Sequence, residues 1–185
     1  FNKGNALTKL GQFQEAVSAY DRALTINPDD AGAWNNKGSA LNRLGMHAEA
    51  VDAYDRALAL DPENAVGWIN RGTALKKLGR FEEAIASYEK GLAIEPNYAK
   101  GWFSMGSVLG ELQRHTEALS AFDRALALDP NDSLAWFNKG TALQMLGRHR
   151  EALAAYNRVL AINPHDERVQ RMKKDLIRVL KQSSE

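Results

Sequence analysis

Cysteine is absent from the chain, which excludes disulfide bonds and thiolate metal sites. No apolar run is long enough to cross a membrane as a helix, and the N-terminus shows no secretory signal. Charge of one sign is also lacking, because 24 lysines and arginines stand against 23 aspartates and glutamates. So balanced a chain gives no indication of nucleic-acid binding. We therefore expect a cytoplasmic protein with neither a membrane nor a nucleic acid as a partner.

Proline and tryptophan are scarce, and their few copies are evenly spaced. All five prolines lie 34 residues apart, as do all four tryptophans: Pro28, Pro62, Pro96, Pro130 and Pro164; Trp34, Trp68, Trp102 and Trp136. A fixed period of this length identifies a tandem repeat. The repeats are 1–30 (without its first four residues), 31–64, 65–98, 99–132 and 133–166. Because stacked repeats form a quasi-one-dimensional array, we do not expect separate globular domains.

Within each repeat, apolar residues recur at spacings of three and four, which predicts two amphipathic helices. A glycine should end the first helix in the left-handed conformation, with Gln113 as the exception: Gly11, Gly45, Gly79 and Gly147. Each proline should end the second helix. Short polar residues then follow and should cap the next helix, whereas Tyr98 cannot: Asp30, Asn64, Asp132 and Asp166.

These columns resemble those of the tetratricopeptide repeat family over residues 1–166. The shared pattern is W-x-x-x-G-x-x-L, then G, then A-x-x-x-Y/F-x-x-A, then P. The resemblance implies an all-α fold, a right-handed superhelical α-solenoid of antiparallel helix pairs whose first helices line a concave surface. Residues 167–181 keep helical spacing without the Trp and Gly, and we interpret them as a capping helix. Residues 182–185 should form a frayed tail.

Three histidines share one column with Phe13 and Phe81: His47, His115 and His149. Neighbouring repeats would place this column about 10 Å apart, too far for a shared metal ion with bonds of about 2 Å. We therefore interpret these histidines as replacements for a packing aromatic. No phosphate loop, zinc-protease pair or dinucleotide fingerprint is present. The sequence predicts no enzyme, no metal site and no cofactor.

One face of each first helix carries the positions one, two, five, eight and nine after the Trp and two before it. The position two residues after the Trp is asparagine in four repeats, with Ser104 as the exception: Asn2, Asn36, Asn70 and Asn138. Asparagine is a mediocre helix former, but its amide offers both a donor and an acceptor. The column resembles the asparagine ladder of long superhelical family members. We predict that it binds the backbone of an extended peptide.

The neighbouring columns complete the predicted peptide site. The position after the Trp should supply apolar contacts from Ile69, Phe103 and Phe137, with Phe1 in the same column and Asn35 as its exception, while Asn5 belongs to a small polar column. Family members that clamp a C-terminal carboxylate require lysine after the Trp, so this resemblance argues against such a clamp. In the motif "FNKG", Phe and Asn should face the ligand, while Lys and Gly should hold the helix pair.

Charge on the same face favours an acidic partner. Five cations, Lys9, Arg43, Lys76, Lys77 and Lys100, stand against the single anion Glu111, a net charge of +4. The capping helix adds Arg168, Arg171 and Arg178 against Asp175. A concave cationic surface concentrates acidic ligands, and binding should weaken as salt rises.

The predicted function is a scaffold for protein–protein interaction that binds an extended, acidic peptide. Two alternatives remain open. The repeats could be the targeting or specificity region of a larger protein or enzyme, for example a glycosyltransferase. They could also be a self-assembly module that associates through the apolar N-terminal end at Phe1.

Overall fold

The computed structural model describes residues 1–182, which form eleven α-helices and no strand. The helices are α1 (Asn2–Lys9), α2 (Phe13–Ile26), α3 (Ala31–Arg43), α4 (His47–Leu60), α5 (Ala65–Lys77), α6 (Phe81–Ile94), α7 (Ala99–Glu111), α8 (His115–Leu128), α9 (Ser133–Met145), α10 (His149–Ile162) and α11 (Glu167–Gln182). The predicted all-α class is therefore confirmed. None of these helices combines the length and the apolar character that crossing a bilayer requires.

The chain divides into two compact units, an N-terminal unit (Phe1–Pro96, α1 to α6) and a C-terminal unit (Asn97–Glu185, α7 to α11). Within each unit, every helix packs on the helix that follows it in the chain. First helices of neighbouring repeats also meet, α3 with α5 in the N-terminal unit and α7 with α9 in the C-terminal unit. Each unit thus presents a row of adjacent first helices.

The turn after each first helix is left-handed, as predicted. The four glycines adopt φ of 75°, 79°, 73° and 72°: Gly11, Gly45, Gly79 and Gly147. Gln113 takes the same conformation, with φ of 59°. Its N–H donates to the carbonyl oxygen of Gly110 (3.0 Å), and the N–H of Arg114 donates to that of Leu109 (2.9 Å). These two bonds form the Schellman motif that ends a helix, so the turn persists without its glycine.

Side chains cap the first helices at the predicted positions. The four capping oxygens accept from a backbone N–H three residues on, at 2.8–3.0 Å: Asp30, Asn64, Asp132 and Asp166. Tyr98 provides no side-chain cap to α7. The predicted caps and their exception are confirmed.

Three of the tryptophans join their first helix to the turn before it. The indole Nε1 of Trp34, Trp68 and Trp136 donates to the carbonyl oxygen of the proline six residues earlier, at 2.8–2.9 Å. Gln170 occupies the same column in α11, and its Nε2 donates to the carbonyl oxygen of Pro164 at 2.8 Å. The last helix therefore begins like a first helix, although it lacks the tryptophan.

A ring from the second helix fills the space beside each column glycine of the first helix. A Cβ added to Gly38 would lie 2.8 Å from the ring of Tyr54, closer than real Cβ contacts allow. Gly4, Gly72, Gly106 and Gly140 meet the corresponding rings in the same way, at 2.5–2.8 Å. The glycines hold the helix pairs together because the missing side chain lets a large ring pack directly on the backbone.

The lysine of the repeat motif has a different partner from the one expected. Lys37 on α3 forms an ion pair with Asp21 on α2, at 2.6 Å. Arg71 pairs with Asp55, and Lys139 with Asp123, at the same distance. Each cation therefore binds the second helix of the preceding repeat, whereas the sequence had predicted a contact inside its own helix pair.

Helix α11 covers the last repeat, with Val169 and Leu176 buried in a cluster that includes Tyr156 and Leu143. The helix extends to Gln182, one residue beyond the predicted end. Gln182 therefore does not belong to the predicted tail, and the rest of that tail, 183–185, lies outside the described residues.

Candidate functional site

The first-helix face is the surface formed by the positions one, two, five, eight and nine after the Trp and two before it. In the N-terminal unit it lies on α1, α3 and α5, and in the C-terminal unit on α7 and α9. Its asparagine column is half-buried at Asn36, Asn70 and Asn138 and exposed at Asn2; Ser104 is also half-buried. The helices bring Asn36 and Asn70 onto adjacent elements, because α3 packs on α5.

The N-terminal end of the asparagine column makes internal hydrogen bonds. Asn36 Nδ2 donates to Asn5 Oδ1 at 3.0 Å, and the Tyr20 hydroxyl donates to the same oxygen at 2.7 Å. One of the two N–H groups of Asn36 is therefore used inside the protein. The remaining amide positions of Asn36 are still available, because an amide carries two donors and two acceptor lone pairs. The sequence did not reveal this bond, which links two different columns of neighbouring repeats.

The amides of Asn70 and Asn138 make no hydrogen bond to any other part of the described chain. Neither amide is an unsatisfied buried group, since the buried side-chain atoms without a partner are Asn35 Oδ1 and His149 Nδ1. Asn70 and Asn138 therefore present accessible donors and acceptors on a protein surface that is already partly shielded from solvent.

The apolar column contributes to packing more than the sequence suggested. The rings of Phe1, Phe103 and Phe137 lie 6.1–6.3 Å from the aromatic ring of their own second helix. Phe137 is further covered by the guanidinium of Arg168, 4.3 Å from the ring centre. Phe103 and Phe137 are half-buried, and Phe1 is 43% exposed. They can touch a ligand only with the outer part of the ring.

Ile69 corrects the prediction of an apolar contact in the third repeat. Its side chain is only 2% exposed and belongs to the core. The cause is Gly91 on α6, whose added Cβ would lie 2.9 Å from Ile69 Cδ1. Most repeats carry alanine or valine where Gly91 stands, and the missing methyl lets Ile69 turn inward. Ile69 therefore offers no side chain to a ligand.

Tyrosine hydroxyls of the second helices contact the small polar column of the first helices. The Tyr54 hydroxyl lies 3.2 Å from Ser39 Oγ, and that of Tyr88 donates to Thr73 Oγ1 at 3.4 Å. Burial raises the pKa of Tyr54 to about 12, although the hydrogen bond with Ser39 opposes the shift. Burial also raises the pKa of Tyr156. The raised pKa keeps the Tyr54 and Tyr156 hydroxyls neutral at physiological pH. The contacts of Tyr54 with Ser39 and of Tyr88 with Thr73 hold the polar column to the second helices.

The cations of the face cluster where the first helices end. Lys9, Arg43 and Lys77 are exposed, and Lys76 is half-buried, all in the last turns of α1, α3 and α5. Positive side chains stabilise the C-terminal end of a helix, so these residues have a structural role as well. In the C-terminal unit, Lys100 and Glu111 lie at opposite ends of α7 and are both exposed.

One residue of the histidine column, His47, makes a polar contact. His47 Nδ1 lies 2.6 Å from Asn42 Oδ1 on the first helix of the same repeat. The interpretation of histidine as a simple substitute for phenylalanine is therefore incomplete. Within residues 1–182, no group of three or more histidine, aspartate or glutamate side chains could hold a metal ion.

Tandem helix pairs with a period of 34 residues define an α-helical repeat protein. A tetratricopeptide repeat family model matches residues 1–65 and 103–167, and a second model of the same family matches 65–98. The chain therefore belongs to the tetratricopeptide repeat family, and the resemblance noted from the sequence is confirmed. Proteins of this family are generally scaffolds for protein–protein interaction and not enzymes.

Solved structures with the same fold support this assignment. YrrB, described as a tetratricopeptide repeat protein with an unusual peptide-binding site, is 26% identical over 94% of this chain and 89% of its own, with a TM-score of 0.81. MamA from Desulfovibrio magneticus RS-1 is 21% identical over 89% and 93%, with a TM-score of 0.83. TTC0263 from Thermus thermophilus is 24% identical over 95% and 96%, with a TM-score of 0.68. No curated protein matches the chain by sequence.

Proposed function

We propose that this chain is a scaffold that binds an extended peptide segment of a partner protein along its first-helix faces. The proposal rests on the side-chain amides of Asn70 and Asn138. Both amides are half-buried on a first helix and have no hydrogen-bond partner within the described chain. Asparagine costs helix stability compared with alanine, and a polar group that is partly desolvated gains most from a partner that satisfies it.

The spacing of the asparagines suits a peptide backbone. Packed helices lie about 10 Å apart, and an extended chain advances about 3.3 Å per residue. Successive asparagines on adjacent first helices would therefore meet a peptide at intervals of about three residues. Each amide can donate to a backbone carbonyl and accept from a backbone N–H. Such contacts would recognise the extended conformation and leave side-chain choice to neighbouring positions.

Acidic segments are the preferred ligands in this proposal. In the N-terminal unit the face carries four cations, Lys9, Arg43, Lys76 and Lys77, and no carboxylate at the same positions. Their role at the helix ends does not remove their charge from the surface. Attraction between such a cluster and a peptide rich in aspartate, glutamate or phosphate falls with ionic strength. We assign the chain no reaction of its own.

The first test is a peptide array of acidic and neutral sequences, probed with the wild type and with a variant in which Asn36, Asn70 and Asn138 are all changed to alanine. The matched control changes three exposed asparagines that lie outside the first helices: Asn97, Asn131 and Asn157. The proposal expects binding by the wild type and the control and loss in the first variant, with circular dichroism unchanged in all three. Equal binding by both variants would refute the asparagine contacts.

The acidic preference has a separate test. Raising the ionic strength from about 0.1 M to about 1 M shortens the Debye length from about 10 Å to about 3 Å. Affinity for an array-selected peptide should fall over this range, and the fall should be smaller after Lys9, Arg43 and Lys77 are changed to glutamine. Affinity that does not respond to salt would show that charge plays no part in recognition.

A further inference from the structure

A cavity of about 290 Å³ opens on the first-helix face of the C-terminal unit, between α7, α8 and α9. Gly110 and Glu111 border it on α7, His115 and Phe122 on α8, and Asn138 and Thr141 on α9. The cavity far exceeds the roughly 30 Å³ that one water occupies. It is therefore large enough to accept a side chain.

Two departures from the repeat pattern accompany this cavity. Gly110 stands in a column that carries Thr8, Asn42, Lys76 and Gln144 in the other repeats. A Cβ added to Gly110 would meet nothing within 4 Å, so the missing side chain leaves empty space. Phe122 stands where every other repeat has tyrosine, and its ring lacks the hydroxyl that the others direct toward the first helix.

Two of the other repeats fill this position with a carboxamide, whereas the first has Thr8 and the third Lys76. In the second repeat, Asn42 places its Oδ1 2.6 Å from His47 Nδ1. In the fifth repeat, Gln144 Oε1 accepts from the Tyr156 hydroxyl at 3.0 Å. Both occupants are carboxamides of the chain itself. In the fourth repeat the histidine, His115, is retained while the carboxamide is absent.

We propose that this cavity is a specificity pocket that takes the carboxamide side chain of an asparagine or glutamine from the bound peptide. The inference rests on the proposed peptide-binding function and adds the identity of one ligand residue. The ligand carbonyl accepts from the imidazole of His115, for which the described residues provide no hydrogen-bond partner. The ligand NH₂ donates to Thr141 Oγ1, which keeps acceptor capacity while its proton is donated to the Phe137 carbonyl (3.1 Å).

The lining also discriminates against other side chains. A carboxylate in the pocket would face the like charge of Glu111, which is unfavourable at short range. An apolar side chain would lack the hydrogen bonds that a carboxamide makes with His115 and Thr141. The peptide residue that enters this pocket should therefore carry a neutral amide.

The test selects peptides from a random library with the wild type and with two variants at one position. Gly110→Gln places the chain's own carboxamide in the pocket, as in the fifth repeat, whereas Gly110→Ala adds only a methyl group and leaves most of the cavity open. Neither change meets a neighbour within 4 Å of its Cβ, so both variants should fold. His115→Phe is a further variant, which restores a residue found in this column at Phe13 and Phe81.

Three outcomes distinguish the possibilities. The proposal expects the wild type and Gly110→Ala to enrich asparagine or glutamine at one peptide position, and Gly110→Gln and His115→Phe to lose that enrichment. Replacing the enriched residue by alanine should weaken binding to the wild type about tenfold or more, because two hydrogen bonds are lost. Peptides selected without this preference, or with lysine or arginine in its place, would overturn the pocket but leave the proposed function standing. Selection of no peptide at all would overturn both.

Discussion

Replacing Gln113 by glycine should stabilise the protein. Gln113 has a φ of 59° at the end of α7, where four other repeats place glycine. The left-handed conformation costs a residue with a Cβ about 1–2 kcal/mol. Glycine avoids this cost but loses about 0.4–1 kcal/mol through the greater freedom of the unfolded chain. The net gain in the free energy of unfolding should be about 1 kcal/mol, which for a chain of this size raises Tm by about 2–4 °C.

The measurement is urea denaturation followed by the helical circular dichroism signal. Gly147→Gln is the matched control, because it introduces the same strain at the equivalent turn of the fifth repeat, where an added Cβ would meet nothing within 4 Å. It should destabilise by a similar amount, and the double variant should resemble the wild type, since distant changes add. If Gln113→Gly is neutral while Gly147→Gln destabilises, the Gln113 side chain makes a compensating contact. If neither changes stability, the backbone argument is wrong.

Three further predictions concern the helix pairs. Gly38→Ala should destabilise by about 1–3 kcal/mol in chemical denaturation, because the new methyl group lies 2.8 Å from the Tyr54 ring; Gly110→Ala, which meets nothing within 4 Å, should not destabilise. Because burial raises the pKa of Tyr54 to about 12 from 10.0, its neutral form stabilises the fold below pH 10.0, and this contribution should disappear as pH rises through about 12; an unchanged alkaline denaturation profile in Tyr54→Phe would contradict it. Asp132→Ala removes the acceptor for two backbone N–H groups of α9 and should cost about 1 kcal/mol in the same denaturation assay.

The local features of the fold were predictable because each depends on residues close together in the chain. Glycine after the first helix, a capping side chain after the proline and the period of apolar residues determine turns and helix ends within a few positions. Even the exceptions at Tyr98 and Gln113 were visible in the sequence. The capping helix was predicted at 167–181 and extends to Gln182, a one-residue difference that is usual at a helix end.

Contacts between residues of different columns were not predictable from the sequence. A comparison of repeats assumes that residues at the same repeat position have the same surroundings, and here they do not. Ile69 occupies a column that was predicted to face a ligand, yet its side chain lies in the core because Gly91 lacks a methyl group. Asn36 reaches the Asn5 amide, which belongs to another column and another repeat. The likeness of Gln170 to the tryptophans lies in one hydrogen bond to a proline carbonyl. The repeat period predicts the backbone position of each residue. The direction and contacts of its side chain depend on how the neighbouring helices pack.

The ion pairs between successive repeats affect how a chain of this kind can gain or lose repeats during evolution. Lys37 binds Asp21 and Arg71 binds Asp55 at the same 2.6 Å, so both junctions use equivalent chemistry. Removing residues 31–64 would bring Asp21 opposite Arg71, and the pair would form again with one repeat fewer. Duplicating the same segment would create another copy of an existing junction. Gain or loss of this repeat therefore preserves the ion pair at the junction, and a lineage can adjust the extent of this surface in steps of 34 residues.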